Sequence, residues 1–113
     1  MKLKAGVDAS DVQPPIWFAI GVAEAVYRNF NRQLVVTSLR DGQHQVGSRH
    51  YQGLAADFRT NHLIEQERRT IFGQLKSILD FAGFDVVMES DHFHVESDPH
   101  GNENWCAVLV ETP

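Results

Sequence analysis

Two short stretches of this chain concentrate the side chains that could do chemistry. Ser48-Arg49-His50-Tyr51-Gln52-Gly53-Leu54-Ala55-Ala56-Asp57 offers a histidine and an aspartate seven residues apart. Glu89-Ser90-Asp91-His92-Phe93-His94-Val95-Glu96 offers a His-x-His pair flanked by carboxylates. Two imidazoles and one carboxylate make a three-donor set for zinc that leaves a fourth position open for water, the arrangement hydrolytic zinc requires. Taken singly, each stretch also has a plain reading: paired histidines on a solvated strand, and a loop histidine near a strand-end aspartate. Taken together they point to a small metallohydrolase.

The elements that must position these groups follow from hydrophobic periodicity. Pro14-Pro15 opens a helix, since proline is tolerated in the first turn, and Asp11 stands upstream as a cap. Ile16, Ile20, Ala23, Tyr27 and Phe30 form its apolar stripe, and it should end near Asn31. Leu34 to Thr37 reads as a strand, Asp41-Gly42 as a turn, and 41–53 as a loop that carries function. Leu54 to Phe58 reads as a strand bearing Asp57. A second helix should run from Leu63 to Ala82, capped by Asn61 and stopped by Gly83, with Ile64, Ile71, Leu75, Ile78, Leu79 and Ala82 facing inward. Phe84 to Met88, Phe93 to Glu96 and Trp105 to Val110 read as three further strands, the first two forming a hairpin about Ser90-Asp91. The expected class is α+β, two helices packed on a largely antiparallel sheet.

On a strand, residues two apart share a face, so His92 and His94 should stand side by side while Phe93 and Val95 enter the core. Gly53 permits a close backbone approach or an unusual dihedral. Ser48 is placed to bond the loop backbone or a substrate.

Bulk composition narrows the alternatives. A chain of 113 residues supports one domain spanning 1–113. The net charge of −5 disfavours a nucleic-acid partner, which would call for a basic patch. Cys106 is the sole cysteine, so no internal disulfide can form, and it reads as a small buried hydrophobe. His44, His62 and His100 read as solvated residues. The start is polar and without an apolar leader, and no stretch is long enough to span a bilayer, so the expectation is a protein cytoplasmic as synthesised, with no membrane partner. The pattern specifies no oligomeric state.

The motif Ser48-x-His50-x-x-Gly53-x-Ala55-x-Asp57 resembles the signature of the zinc D-Ala-D-Ala carboxypeptidase and L-alanyl-D-glutamate endopeptidase family, whose fold the vancomycin-resistance dipeptidase and the hedgehog signalling domain share. All five fixed positions are present, and the resemblance covers Leu34 to Glu96. It implies a hedgehog/DD-peptidase-like fold and Zn2+ held by His50, Asp57 and His94. His94 is preferred to His92 because family members with His-x-His use the second histidine. His92 would then bond the water or the oxyanion. The family's general base lies three residues before the ligating histidine, which gives Asp91 counting from His94 and Glu89 counting from His92; Asp91 ranks first. Arg40 ends Thr37-Ser38-Leu39-Arg40 where the family has Ser-Gly-Tyr-Arg, a partial match, and would point at the scissile carbonyl or the substrate. The implied partner is a peptidoglycan stem peptide cut at D-Ala-D-Ala or L-Ala-D-Glu, by a bacterial enzyme or by a bacteriophage endolysin released to the cell wall or carried on a virion. The alternative is a zinc-binding module of the same fold without catalysis. The donor set by itself accepts several divalent metals.

Overall fold

The structure is a computed structural model that describes residues 1–42 and 47–97. The chain order is β1 (Lys2–Leu3), α1 (Pro14–Asn29), β2 (Val35–Ser38), a 3-10 turn (Arg49–Gln52), β3 (Ala55–Arg59), α2 (Glu65–Phe81), β4 (Phe84–Met88) and β5 (His92–Ser97). The strands form one sheet ordered β1-β2-β3-β5-β4. Among the described residues only the β1–β2 pair is parallel; β2–β3, β3–β5 and β4–β5 are antiparallel. The class is α+β, two helices packed on a five-stranded, largely antiparallel sheet. Among the described residues no helix is long and apolar enough to cross a membrane.

Strand alternation places the core. Phe58 pairs with Phe93 and Ala56 with Val95 across β3–β5, and all four are fully buried in one cluster with Ile16, Ala19 and Tyr27 of α1 and Ile71, Leu75 and Leu79 of α2. Burial of each phenylalanine contributes about 2–3 kcal/mol relative to exposure. Because side chains alternate along a strand, the residues between them, Asp57 on β3 and His92, His94 and Glu96 on β5, are turned to the opposite side of the sheet from the helices.

Several local expectations are corrected. Asp11 does not cap α1: Gln13 holds the N-cap position without a side-chain bond, and Asp11 adopts a left-handed backbone at φ 52°. α1 does end near Asn31 as expected: its last helical residue is Asn29, and Asn31 turns left-handed at φ 54°, with Arg32 N–H donating back to the Tyr27 carbonyl. Asn61 does not cap α2; the Ile64 N–H donates instead to Glu67 Oε1, an acid in the first turn. Ile64 and Ile78 are exposed rather than inward-facing. Gly83, at φ 90°, ends α2 as expected. The strand β1 has no apolar pattern and was not expected; it exists because its backbone pairs with Val35 and Val36. The expected strand Trp105 to Val110, together with Cys106, His44 and His100, lies outside the described residues.

Candidate metal centre

Three elements converge on one point of the helix-free face. β3 supplies Asp57, its direct register partner on β5 is His94, and the 3-10 turn supplies His50. One donor atom from each of these three residues lies within 4.8 Å of the other two. Asp57 Oδ1 is 2.9 Å from His94 Nδ1 and 3.3 Å from His50 Nε2. His50 and Asp57 are buried and His94 is half-buried.

The turn that presents His50 is built by its neighbours. Ser48 Oγ accepts the His50 N–H at 3.2 Å, so of the two roles open to Ser48 it takes the backbone one. Gly53 closes the turn at φ 71°, a left-handed conformation that favours glycine. A Cβ on Gly53 would meet the Asp11 carbonyl oxygen at 2.3 Å, because the segment before α1 crosses there and its Gln13 N–H donates to the Gly53 carbonyl. The segment read as a functional loop therefore contains a turn that aims one imidazole.

Bonds outside the cluster orient both imidazoles. His50 Nδ1 lies 2.5 Å from the Leu39 carbonyl, which can only accept, so Nδ1 carries the hydrogen and Nε2 faces Asp57. His94 Nε2 lies 2.9 Å from Glu96 Oε1, while its Nδ1 faces Asp57. Glu96 is held in turn by Arg49 Nε at 3.5 Å.

Electrostatics follow from this geometry. Burial alone would raise the Asp57 carboxyl, but the facing imidazoles of His50 and His94, with His92 beyond them, outweigh it and hold the group well below the usual carboxylate range. His94 is raised to about 8, first by its hydrogen bond to Asp57, against the opposing effect of burial, and then by Glu96. Without a metal, His94 is thus an imidazolium between two carboxylates, and Asp57 is ionised. One anionic oxygen donor and two oriented imidazoles suit a divalent cation, which would take the place of the proton on His94 Nδ1. The donor set fits a metal; it does not name one.

The remaining residues singled out from sequence fall in different places. His92 shares the face, with Nε2 3.9 Å from Asp57 Oδ2 and Nδ1 2.7 Å from Asp91 Oδ1. Asp91 is held below the ordinary carboxylate range, chiefly by that hydrogen bond. Asp91, His92 and Asp57 line an open cleft of about 320 Å³ with Thr37 and Ser38. Glu89 is exposed and is not among the residues lining that cleft; its backbone N–H donates to the His92 carbonyl, closing the hairpin. Arg40 is engaged elsewhere: Nη1 is 3.2 Å from Asp11 Oδ2 and 3.4 Å from the Ser10 carbonyl. The approach of the pre-helix segment, which the sequence did not signal, supplies these partners of Arg40. His62, expected to be solvated, is half-buried with Nε2 donating to the Gln33 carbonyl at 2.9 Å.

Sequence reasoning missed the orienting Leu39 carbonyl and the Arg49 support of Glu96. The first is a backbone group and carries no sequence signal. The second was hinted at only by the acid two residues after His94. It also missed Lys4, Arg59 and Asn61, which line the same cleft.

No family model, no curated protein and no solved structure matches this chain.

Proposed function

We propose that this protein is a zinc-dependent peptidase acting on peptidoglycan stem peptides. The observation that carries the reading is the convergence of His50, Asp57 and His94 within 4.8 Å beside a cleft rimmed by the carboxylate of Asp91. The order and spacing of the two motifs, which resemble those of the zinc D-Ala-D-Ala carboxypeptidase and L-alanyl-D-glutamate endopeptidase family, support it from the side of sequence.

In this reading His50 Nε2, Asp57 and His94 Nδ1 hold the metal. Zinc bound there would lower the pKa of a coordinated water to about 7 and polarise a substrate carbonyl. Asp91, ionised at neutral pH, takes a proton from the attacking water and delivers it to the departing amine. His92, bonded to Asp91 through Nδ1, presents Nε2 to the same cleft and stabilises the oxyanion as it develops. The cleft lining favours Asp91 over Glu89 as the base. The reading extends to a bacterial or bacteriophage enzyme that meets its substrate at the cell wall.

The test is mass spectrometry of defined muropeptides, one with a pentapeptide stem and one with a tetrapeptide stem, incubated with zinc-loaded protein and with His50→Ala. Loss of one D-Ala identifies a carboxypeptidase, and cleavage after L-Ala identifies an endopeptidase; His50→Ala should do neither. Asp91→Asn should retain zinc and lose turnover. Unchanged masses with both stems, in protein shown to hold stoichiometric zinc, would overturn the peptidase reading in favour of a zinc-binding module.

A further inference from the structure

The chain contains seven arginines and an excess of acid. Six of the seven pair with a carboxylate: Arg28 with Glu24, Arg32 with Glu67, Arg40 with Asp11, Arg49 with Glu96, and Arg68 and Arg69 with Glu65. Arg59 is the exception, with no acidic partner among the described residues. It stands two positions after Asp57 on β3 and directly opposite His92 on β5, so it belongs to the same face as the candidate metal centre. Its backbone is fixed, since its carbonyl accepts the hydroxyl of the buried Tyr27 at 2.9 Å.

Arg59 lines the cleft together with Lys4 and Asn61. Lys4 also has no acidic partner among the described residues, and it is brought there by β1, whose pairing continues in the bond from the Lys4 N–H to the Val36 carbonyl at 2.9 Å. The acids of the cleft are already engaged, Asp57 by two imidazoles and Asp91 by His92. Two cations and an amide donor therefore face open space beside a site that would itself carry a divalent cation. That surface attracts an anion, and the fork of a guanidinium suits a carboxylate.

We propose that Arg59, assisted by Lys4, forms a carboxylate-binding subsite that selects peptides with a free carboxylate next to the bond to be cleaved. The proposal rests on the peptidase reading above and names a substrate feature for it. Two positions along a strand span about 6.6 Å, and a peptide advances at most about 3.6 Å per residue, so Arg59 stands about two peptide residues along β3 from Asp57, one of the three candidate metal donors. The carboxylate has two possible sources in a stem peptide: the terminus of D-Ala-D-Ala, or the α-carboxylate of a γ-linked D-Glu.

The experiment compares each acid with its amide: acyl-D-Ala-D-Ala against its C-terminal amide, and an L-Ala-γ-D-Glu peptide with its α-carboxylate free against amidated. The zinc-loaded full chain should prefer the acid of one pair by roughly 10- to 100-fold in KM, the range set by a hydrogen bond between charged groups. Which pair responds identifies the source. Arg59→Ala should abolish the preference by raising KM for the acid, with kcat little changed, and Arg59→Lys should restore part of it. Equal KM for acid and amide in both pairs, or an equal loss on acid and amide in Arg59→Ala, would overturn the proposal. A second readout needs no turnover: the Arg59 Nε–H resonance of the metal-free full chain, titrated with N-acetyl-D-alanine and with its amide, should move with the acid alone. If that resonance responds to the acid while no peptide is cleaved, the anion subsite stands and the peptidase reading falls. If peptides are cleaved while Arg59→Ala is indifferent, the reverse holds.

Discussion

Raising the pH of the metal-free protein from 6 to 9 should remove about 2 kcal/mol of folding stability through one side chain, His94. In the folded chain this imidazole bonds Asp57 at 2.9 Å and Glu96 at 2.9 Å, and its pKa is raised from 6.5 to about 8. A folded-state pKa above the unfolded one means that the charged form is the one that the fold favours. The contribution is therefore complete below pH 6.5 and lost as pH rises through about 8. At 1.36 kcal/mol per pH unit, moving the midpoint from 6.5 to about 8 amounts to about 2 kcal/mol. Asp57 is ionised throughout this window and adds no slope of its own. The assay is urea unfolding in the presence of a chelator, at pH 6 and pH 9, for the wild type and for Asp57→Asn. Asp57→Asn removes the largest cause of the His94 displacement and should flatten most of the difference. A wild-type stability independent of pH across this window, or a slope that survives intact in Asp57→Asn, would refute the arrangement of charges described for the site.

The same proton competes with the metal, so zinc affinity should climb from pH 6 and level off near pH 8, by roughly tenfold per unit at most, as read by competition with a chelating dye. His50→Ala and Asp57→Ala should each purify with little bound zinc, measured by elemental analysis, while the wild type holds about one equivalent. Glu96→Gln leaves the three donors in place but removes the carboxylate behind His94, and should weaken zinc binding by about 10- to 100-fold. Gly53→Ala should destabilise the fold by about 2 kcal/mol or more in urea unfolding, since the new Cβ meets the Asp11 carbonyl in a left-handed backbone; a neutral effect would mean that the crossing of the pre-helix segment is not as described.

The parts of the molecule that were legible in the chain are those governed by local periodicity. The apolar stripe from Ile16 to Tyr27 and the run Ile71, Leu75, Leu79 mark the inward faces of the helices. The alternation His92-Phe93-His94-Val95 specifies both a strand and its two faces. Caps were read less well because they depend on competition: Glu67 reaches the Ile64 N–H, and Asp11 is carried into a left-handed turn by the chain crossing Gly53.

The sequence by itself supplied the candidate donors, His50, Asp57 and the His92/His94 pair, with His94 preferred only through the family resemblance, and the strand alternation that keeps Asp57 and His94 off the helix-packed face. Only the tertiary structure decided what surrounds them. Register across β3–β5 sets His94 opposite Asp57 and Arg59 opposite His92, and pairing of the two-residue β1 with β2 brings Lys4 to the cleft. Arg40 and Arg59 are both basic residues at strand ends, and nothing local distinguishes them. Long-range packing gave Asp11 to Arg40 and left Arg59 facing the cleft, since the partner of a surface charge is chosen by whichever segment the fold brings beside it.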